Sequence, residues 1–307
     1  MKKSILVAAM ALATFGANAA PTTAVDLSAP QLYGKVGVSV DHVNETTVMD
    51  YLSNTEVGVH GTAGVPHNIK ASYDVKGEFN AKDQFELSKL DIGLDYDMFS
   101  AHFGKIDSRY SKVTTDFDVF DNVFSGTTFD RDYVPVTGLA VSANPITDLE
   151  VGIQVSGQES SVELGHNIAL YSNYSINNLD LSAGYEFEAK DIDNGRATDA
   201  HGFSLAAGYT LGDISASTYF ISHKVDGVKA DNTFGIQSAY QLTDTVALKA
   251  GYEHAKTGVT KAKTNTYRVA AQYDLTDALE FNAGYGNVKT TGHSSDDLLT
   301  VGAVYKF

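Results

Sequence analysis

The residues best suited to chemistry in this chain are carboxylates. Asp91 and Asp95 share one face of a single segment, an arrangement from which an acid/base pair could be built. The stretch "DIDNG" (191–195) offers a partial calcium loop, one residue short of the D-x-D-x-D-G spacing. Nine histidines are scattered along the chain, with His60, His102 and His166 reading as lumen or loop residues rather than ligands. No H-E-x-x-H, G-x-S-x-G or G-x-x-x-x-G-K-[ST] occurs. Cysteine is absent, so thiolate chemistry and disulfides are excluded. About a dozen further acids share the alternation that carries Asp91 and Asp95, which makes a solvated acidic wall the favoured reading. Neither catalysis, a cofactor nor a metal site is expected.

Charge narrows the partners. The formal net charge is -16, which argues against nucleic acid, since phosphate binding needs a basic face. It serves solubility or attracts cations.

The elements that must hold these acids follow one rule. In "VALKAGYEH" (246–254), Val246, Leu248, Ala250 and Tyr252 share one face, and Ala247, Lys249, Gly251 and Glu253 the other. "LDLSAGYEFE" (179–188) and "LLTVGAVYKF" (298–307) repeat the pattern. A period of two means strand. About sixteen strands are predicted, at 31–43, 55–62, 68–79, 87–96, 98–106, 133–142, 148–156, 166–176, 179–188, 201–211, 213–223, 232–242, 244–254, 264–275, 277–288 and 296–307. The parity slips near Gly104, where a bulge is expected, and Pro135 lacks a ladder donor. Short connections such as "INN" (176–178) and "LGD" (211–213) alternate with longer polar ones at 44–54, 107–132, 157–165, 189–200, 224–231, 255–263 and 289–295. That asymmetry is expected of a transmembrane antiparallel β-barrel, with short periplasmic turns and longer external loops.

Alternation by itself fits a soluble sandwich too. Three features favour a membrane. Tyrosines such as Tyr96, Tyr185, Tyr209, Tyr240, Tyr252, Tyr273, Tyr285 and Tyr305 recur near strand ends, as an interfacial girdle would. The strand number is even, and the polar faces combine dense charge with Gly and Ala. Closure also explains a chain that stops on Phe307 within a strand pattern, because the last strand must pair with the first. Export is expected from "MKKSILVAAMALATFGANAA" (1–20), which has a basic start, an apolar core and an A-x-A exit at Ala17 and Ala19. Residues 1–19 are thus read as a signal peptide and 20–307 as the barrel domain.

The mature chain resembles the Gram-negative general porins. The resemblance rests on "LYGKVGVSV" (32–40), "VGVHG" (57–61), "FGKIDSRY" (103–110) and above all "SSDDLLTVGAVYKF" (294–307). It implies a third external loop folded into the lumen, with loop acids facing basic residues on the wall, and a homotrimer in the outer membrane of a Gram-negative bacterium. Carried over residue by residue, Lys35 takes the basic position of the first strand. Lys105 stands for the usual Arg before the third loop, Arg109 follows it, and Glu56 replaces a frequent Arg. The loop (111–131) contributes Asp116, Asp118 and Asp121. Tyr305 and Phe307 match the signal read by the outer-membrane assembly machinery.

The resulting expectation is a passive diffusion channel for small hydrophilic solutes and ions, modestly cation-selective, set in lipid and lipopolysaccharide. A solute-selective channel, for example for saccharides, is the alternative, and inward aromatics such as Tyr33 and Tyr219 would mark it. A membrane-embedded hydrolase lacks its Ser/His constellation, and a soluble lectin-like barrel would need no membrane at all.

Overall fold

The computed structural model describes residues 26–50, 55–65, 69–79, 84–120, 123–124, 134–157, 166–190 and 198–307. The expected signal peptide at 1–19, "DIDNG" (191–195) and Asp121 lie outside the described residues.

Sequence alternation becomes spatial alternation. In chain order the strands are β1 (Asp26–Leu27), β2 (Gln31–Val43), β3 (Thr46–Asp50), β4 (Glu56–Val65), β5 (Ile69–Phe79), β6 (Phe85–Tyr96), β7 (Phe99–Asp107), β8 (Pro135–Ile146) and β9 (Leu149–Gly157). They continue as β10 (Asn167–Ile176), β11 (Leu179–Glu188), β12 (Ala200–Leu211), β13 (Ile214–Val225), β14 (Asp231–Thr243), β15 (Val246–Lys256), β16 (Lys263–Thr276), β17 (Leu279–Thr290) and β18 (Ser295–Lys306). Among the described residues there is one helix, α1 (Arg109–Thr115), between β7 and β8. Neighbouring strands pair antiparallel all the way round. β3 and β4 pair with opposite ends of β2, through Ser39↔Asp50 and Lys35↔Glu56, and share one stave. β1 is a short addition to β4. The result is a closed barrel of sixteen staves.

Closure runs through the two ends of the chain. β18 pairs with β2 from Leu298↔Val43 to Lys306↔Lys35. Beyond it the backbones of Phe307 and Gly34 exchange two hydrogen bonds of 3.0 Å. The Phe307 ring lies over Gly34, where a Cβ would come within 2.7 Å of it. The last residue is therefore paired on its backbone and seated on its ring.

The molecule is inside-out relative to a soluble domain. Its outer surface carries Leu32, Val36, Leu94, Phe103, Leu170, Phe203, Leu248 and Val301, all exposed, whereas Gln154, Ser204, Arg268 and Glu280 are buried. A contiguous apolar exterior of this extent needs lipid around it. Aromatic residues form two girdles. Tyr96, Phe99, Tyr209, Tyr240, Tyr273, Phe281 and Tyr305 are exposed near the end that holds the chain terminus, and Tyr185, Tyr267 and Tyr285 near the other.

Turn chemistry separates the ends. The tight turns at the terminus end use left-handed residues at Asp97, Asp148, Asn177 and Gly212, where Asn, Asp and Gly adopt positive φ at least cost. Three expectations change. Segment 44–54 is not one long loop: Asn44, with φ 52, turns the chain tightly into β3. Segment 107–132 opens with a helix. Pro135 begins β8 opposite Asp107, a position that tolerates proline at the end of a ladder.

The parity slips at Gly104 as expected, but not through a bulge: the ladders on both sides of β7 pass through Gly104 without a register shift. Gly104 has φ +126, and a Cβ there would lie 1.9 Å from the Leu90 carbonyl oxygen. Before it, even-numbered His102 turns inward to meet Asp91; after it, odd-numbered Asp107 does so to meet Lys89.

Candidate functional site

The lumen has two unlike walls. One, built by β2 and β4 to β7, is a zipper of opposite charges. Lys76 Nζ lies 2.8 Å from Glu56 Oε2 and 4.0 Å from Glu78. Lys89 bridges Asp74 at 3.0 Å and Asp107 at 3.4 Å. The Tyr33 hydroxyl donates to Asp74 at 2.6 Å, and His102 Nδ1 lies 3.0 Å from Asp91. Strand pleating forces this arrangement, since Asp74↔Asp91 and Lys76↔Lys89 are directly opposite pairs. Like charges so placed repel, and the side chains reach diagonally instead: Lys76 to Glu56, Lys89 to Asp74, and Asp91 to the His102 imidazole.

The other wall, β10 to β18, is covered by the segment after β7. Ser108 caps α1, its hydroxyl accepting from Ser111 N at 3.2 Å. Gln154 ties the entry down: it accepts from Arg109 N at 2.8 Å and donates to the Asp107 carbonyl at 3.2 Å. The segment then runs along the wall by setting apolar side chains against glycines. Tyr110 lies over Gly202 and Gly184, Val113 over Gly184, Phe117 over Gly208, Phe120 over Gly251, and Val123 and Phe124 over Gly284. A Cβ at any of these glycines would stand 2.6 to 2.9 Å from the docked side chain. The far end forms a dry cluster of Phe120, Val123, Phe124, Ala270 and Leu298. One carbonyl, that of Phe117, accepts from both Ser217 Oγ, at 2.9 Å, and Gln237 Nε2.

The structure distributes the sequence-derived site residues as follows. Glu56 is on the zippered wall, held by Lys76. Lys35 is on the same wall, opposite Glu56 in the ladder. Lys105 donates to the Leu87 carbonyl at 2.9 Å. Arg109 does not stand on a wall strand: it is the first residue of α1, with its guanidinium 5.9 Å from the centre of the Tyr171 ring. Asp116 is exposed, 4.0 Å from Lys112 one helical turn back. Asp118 points the other way. Its carboxylate, 11% exposed, lies 3.7 Å from Arg268, itself 5% exposed, and accepts from Phe120 N at 3.0 Å. Arg268 also stacks over the Phe120 ring at 4.4 Å. Asp118 is thus an anchor facing the wall, and its charge is not presented to the passage. Tyr305 and Phe307 are exposed on the outer face, ring centres 6.4 Å apart.

Depth within the wall is a second correction. Glu280, inward by parity, is 5% exposed and held by Lys306 at 3.0 Å. Tyr219 is 2% exposed, with its hydroxyl on Glu253 at 2.6 Å, so it offers no stacking face to a sugar.

Sequence reasoning missed Asp107 and Lys112, and missed how the third loop is held. The signal was present. Tyr110, Val113, Phe117, Phe120 and Phe124 recur at intervals of three and four inside a supposed loop, the spacing of a face that packs against something.

The profile of a family described as Gram-negative porin matches residues 6–307. No curated protein matches the chain. Solved structures do. An anion-selective porin from Comamonas acidovorans shares 16% identity over 92% of this chain and 100% of its own, with a TM-score of 0.77. OmpF of Salmonella typhi, in complex with daunomycin, shares 14% over 91% and 97%, with a TM-score of 0.74. OmpT of Vibrio cholerae, in a trimer form, shares 15% over 93% and 100%, with a TM-score of 0.72.

Proposed function

The chain belongs to the Gram-negative porin family, and from that premise we propose that it is an outer-membrane pore for passive diffusion of small hydrophilic solutes and ions, modestly selective for cations. The observation that carries this reading is the division of the lumen. The third loop packs on the β10 to β18 wall and leaves the charged wall of β2 and β4 to β7 facing the passage. Size exclusion then falls to the loop, and sign preference to the charges opposite it.

Pairing limits the preference. Lys76 and Lys89 are each engaged by two acids, so the wall presents a small negative excess, consistent with a net charge of -16 for the chain. A relative with this fold is named anion-selective, so the barrel does not fix the sign; its wall charges must. The test is the reversal potential of the pure protein in a planar bilayer under a potassium chloride gradient. A cation preference is expected. It should fade as the screening length falls from about 10 Å at 0.1 M to about 3 Å at 1 M salt. An anion preference would overturn the selectivity, and an absence of conductance the pore.

The same reading includes a homotrimer. Val36, Val38, Val40, Leu299 and Val301 give the strands at the two chain ends a smooth, exposed apolar face. An unheated gel or native mass measurement showing only monomers would count against it. It also includes removal of residues 1–19, which amino-terminal sequencing of the mature protein checks. Phe307 is the assembly handle within this proposal. Phe307→Ser is expected to lower the yield of heat-modifiable barrel in the outer membrane several-fold and to raise periplasmic degradation. Equal assembly at matched expression would remove that role.

A further inference from the structure

The outer face of the barrel carries a charge pattern that the pore reading leaves unused. In a chain of net charge -16, three exposed lysines gather on the lipid side at the external rim: Lys256 on β15, Lys263 on β16 and Lys289 on β17. Parity fixes their direction. Lys256 shares its face with Tyr252 and Leu248, Lys263 with Tyr267 and Val269, and Lys289 with Tyr285. The ladders run without a shift from these tyrosines to the rim. Outward positions near the external ends of β4, β9 and β11 are instead Val57, Val155 and Phe187.

The ladder crowds the cations. Lys256 is directly opposite Lys263, and Lys289 is opposite Asn265, two residues along β16 from Lys263. Like charges so placed repel. On the inner wall the corresponding pair, Lys76 and Lys89, is answered by Glu56, Glu78, Asp74 and Asp107. Outside, among the described residues, no carboxylate comes within 4.0 Å of the three ammonium groups. The outward acid on β18, Asp297, is engaged by the Tyr285 hydroxyl at 2.6 Å and by Asn287 at 2.7 Å. The turns at the other end of the same strands carry Asp244 and Asp277, so the positive charge marks one end only.

What lies below the lysines decides the partner. Lys263 and Lys289 stand four residues beyond Tyr267 and Tyr285 of the external girdle. With a rise of about 3.3 Å per residue and a strand tilt of about 40°, that is about 10 Å above the aromatic level. Long lysine side chains bent downward reach the headgroup layer, which extends about 5–7 Å past the hydrocarbon. Beside the row a groove of about 560 Å³ opens on the outer face of β10 to β14. Ala183, Ala207 and Thr218 form its floor because larger neighbours, Leu205, Phe220 and Phe234, stand around them. Lys224, exposed, lies four residues beyond Phe220 on β13. Phe234 is opposite His254, two residues before Lys256. The groove therefore lies under the near end of the lysine row. A free anion would use only the lysines, and a bare hydrocarbon only the groove. A ligand that uses both has a phosphate head and an acyl tail.

We propose that the outer rim of β13 to β17, with the groove beneath it, is a binding site for a phosphate-bearing acyl lipid of the external leaflet. The phosphate sits between Lys256 and Lys263, flanked by Lys224 and Lys289, and relieves the repulsion that the ladder builds. The tail lies in the groove. This site rests on the outer-membrane reading of the chain but takes no part in permeation.

The test is native mass spectrometry of the full-length barrel from neutral-detergent micelles doped equally with dilauroyl phosphatidic acid and with dilauroylglycerol, which lacks the phosphate. Retained phosphatidic acid is expected to exceed dilauroylglycerol by about tenfold or more and to saturate. Lys256→Gln with Lys263→Gln should weaken its retention by about thirtyfold, at about 1 kcal/mol for each lysine near a lipid surface. Ala207→Phe, which fills the groove, should lower retention of both lipids. Equal retention of the two lipids, or retention that survives the double lysine substitution, overturns the proposal. Release of phosphatidic acid by equimolar inorganic phosphate would overturn it in favour of a simple anion site. The comparison of lipids uses only the unaltered protein, so it decides the matter even if a variant does not fold. Conductance in a bilayer of uncharged lipid is measured separately: a barrel that conducts there but retains no phosphatidic acid loses this site and keeps the pore.

Discussion

The two halves of the lumen solve the same problem differently. Both have inward rows that a barrel must fill or leave wet. On β2 and β4 to β7 the rows are Lys, Asp, Glu and Tyr, and the solution is a lattice of ion pairs that stays accessible. On β10 to β18 the rows carry glycines, and aromatic side chains of the third loop fill the notches. The first half keeps its charges half-exposed, where pairs contribute little to stability but set the local potential. The second excludes water, where each apolar contact counts fully and a lone charge would be expensive. Accessible charge and loop anchorage are thereby separated around the circumference, so a change on one side need not disturb the other.

The sharpest challenge to that separation is Arg268→Ala. It leaves the Asp118 carboxylate, 11% exposed, without its cation and strips the cation from the face of Phe120. A loss of about 3–5 kcal/mol is expected, the usual consequence of removing one member of a buried pair. Adding Asp118→Ala should recover part of it, as a double-mutant cycle in denaturant would show. Independent, additive losses would mean that the pair does not anchor the loop.

Phe120→Ala tests the apolar contribution. Phe120 is 3% exposed and packed against Gly251, so a loss of about 3 kcal/mol is expected at the lower end of the range for deleting a buried aromatic. The detached loop should raise the single-channel current noise while leaving the reversal potential almost unchanged. A large shift in reversal potential would break the division of labour.

Glu56→Arg belongs to the other side. It removes the acid that Lys76 holds at 2.8 Å and places two cations in register. Stability should change little, but the pore should move toward anions by a factor of up to about five, the value of one close charge contact in water. An unchanged reversal potential would show that this wall does not face the permeating ions.

The smallest effect is expected at Asp116, 41% exposed and 4.0 Å from Lys112. Asp116→Asn should cost less than about 0.5 kcal/mol and shift selectivity slightly from cations. Set beside Asp118, two residues away, it shows whether orientation or mere presence of loop acids matters.

Much of this was legible from residues alone. Strand positions followed from the period of two, and the segment 179–188 matches β11 residue for residue. Facing was legible for the same reason, since a pleated strand has only two faces. That placed Glu56, Asp74, Lys76 and Lys89 inward together. The break at Gly104 could be located because parity failed there, but its cause, a positive φ close against Leu90, needed the neighbouring strand.

What alternation could not supply was depth and direction across the lumen. Asp116 and Asp118 look equivalent in "TTDFDVF". They diverge because one helical turn ends between them and the wall, and Arg268 on a strand some 150 positions later, decides which side is dry. Glycines at 184, 202, 208, 251 and 284 read as turn or strand residues with no common purpose until closure aligns them under one loop. The strands, their faces and the need to close are all written in the order of residues, because they depend on local period and on the backbone's demand for partners in lipid. Which inward charges stay accessible and which hold the loop could not be read that way, because it depends on contacts between residues far apart in the chain that meet only once the barrel has closed.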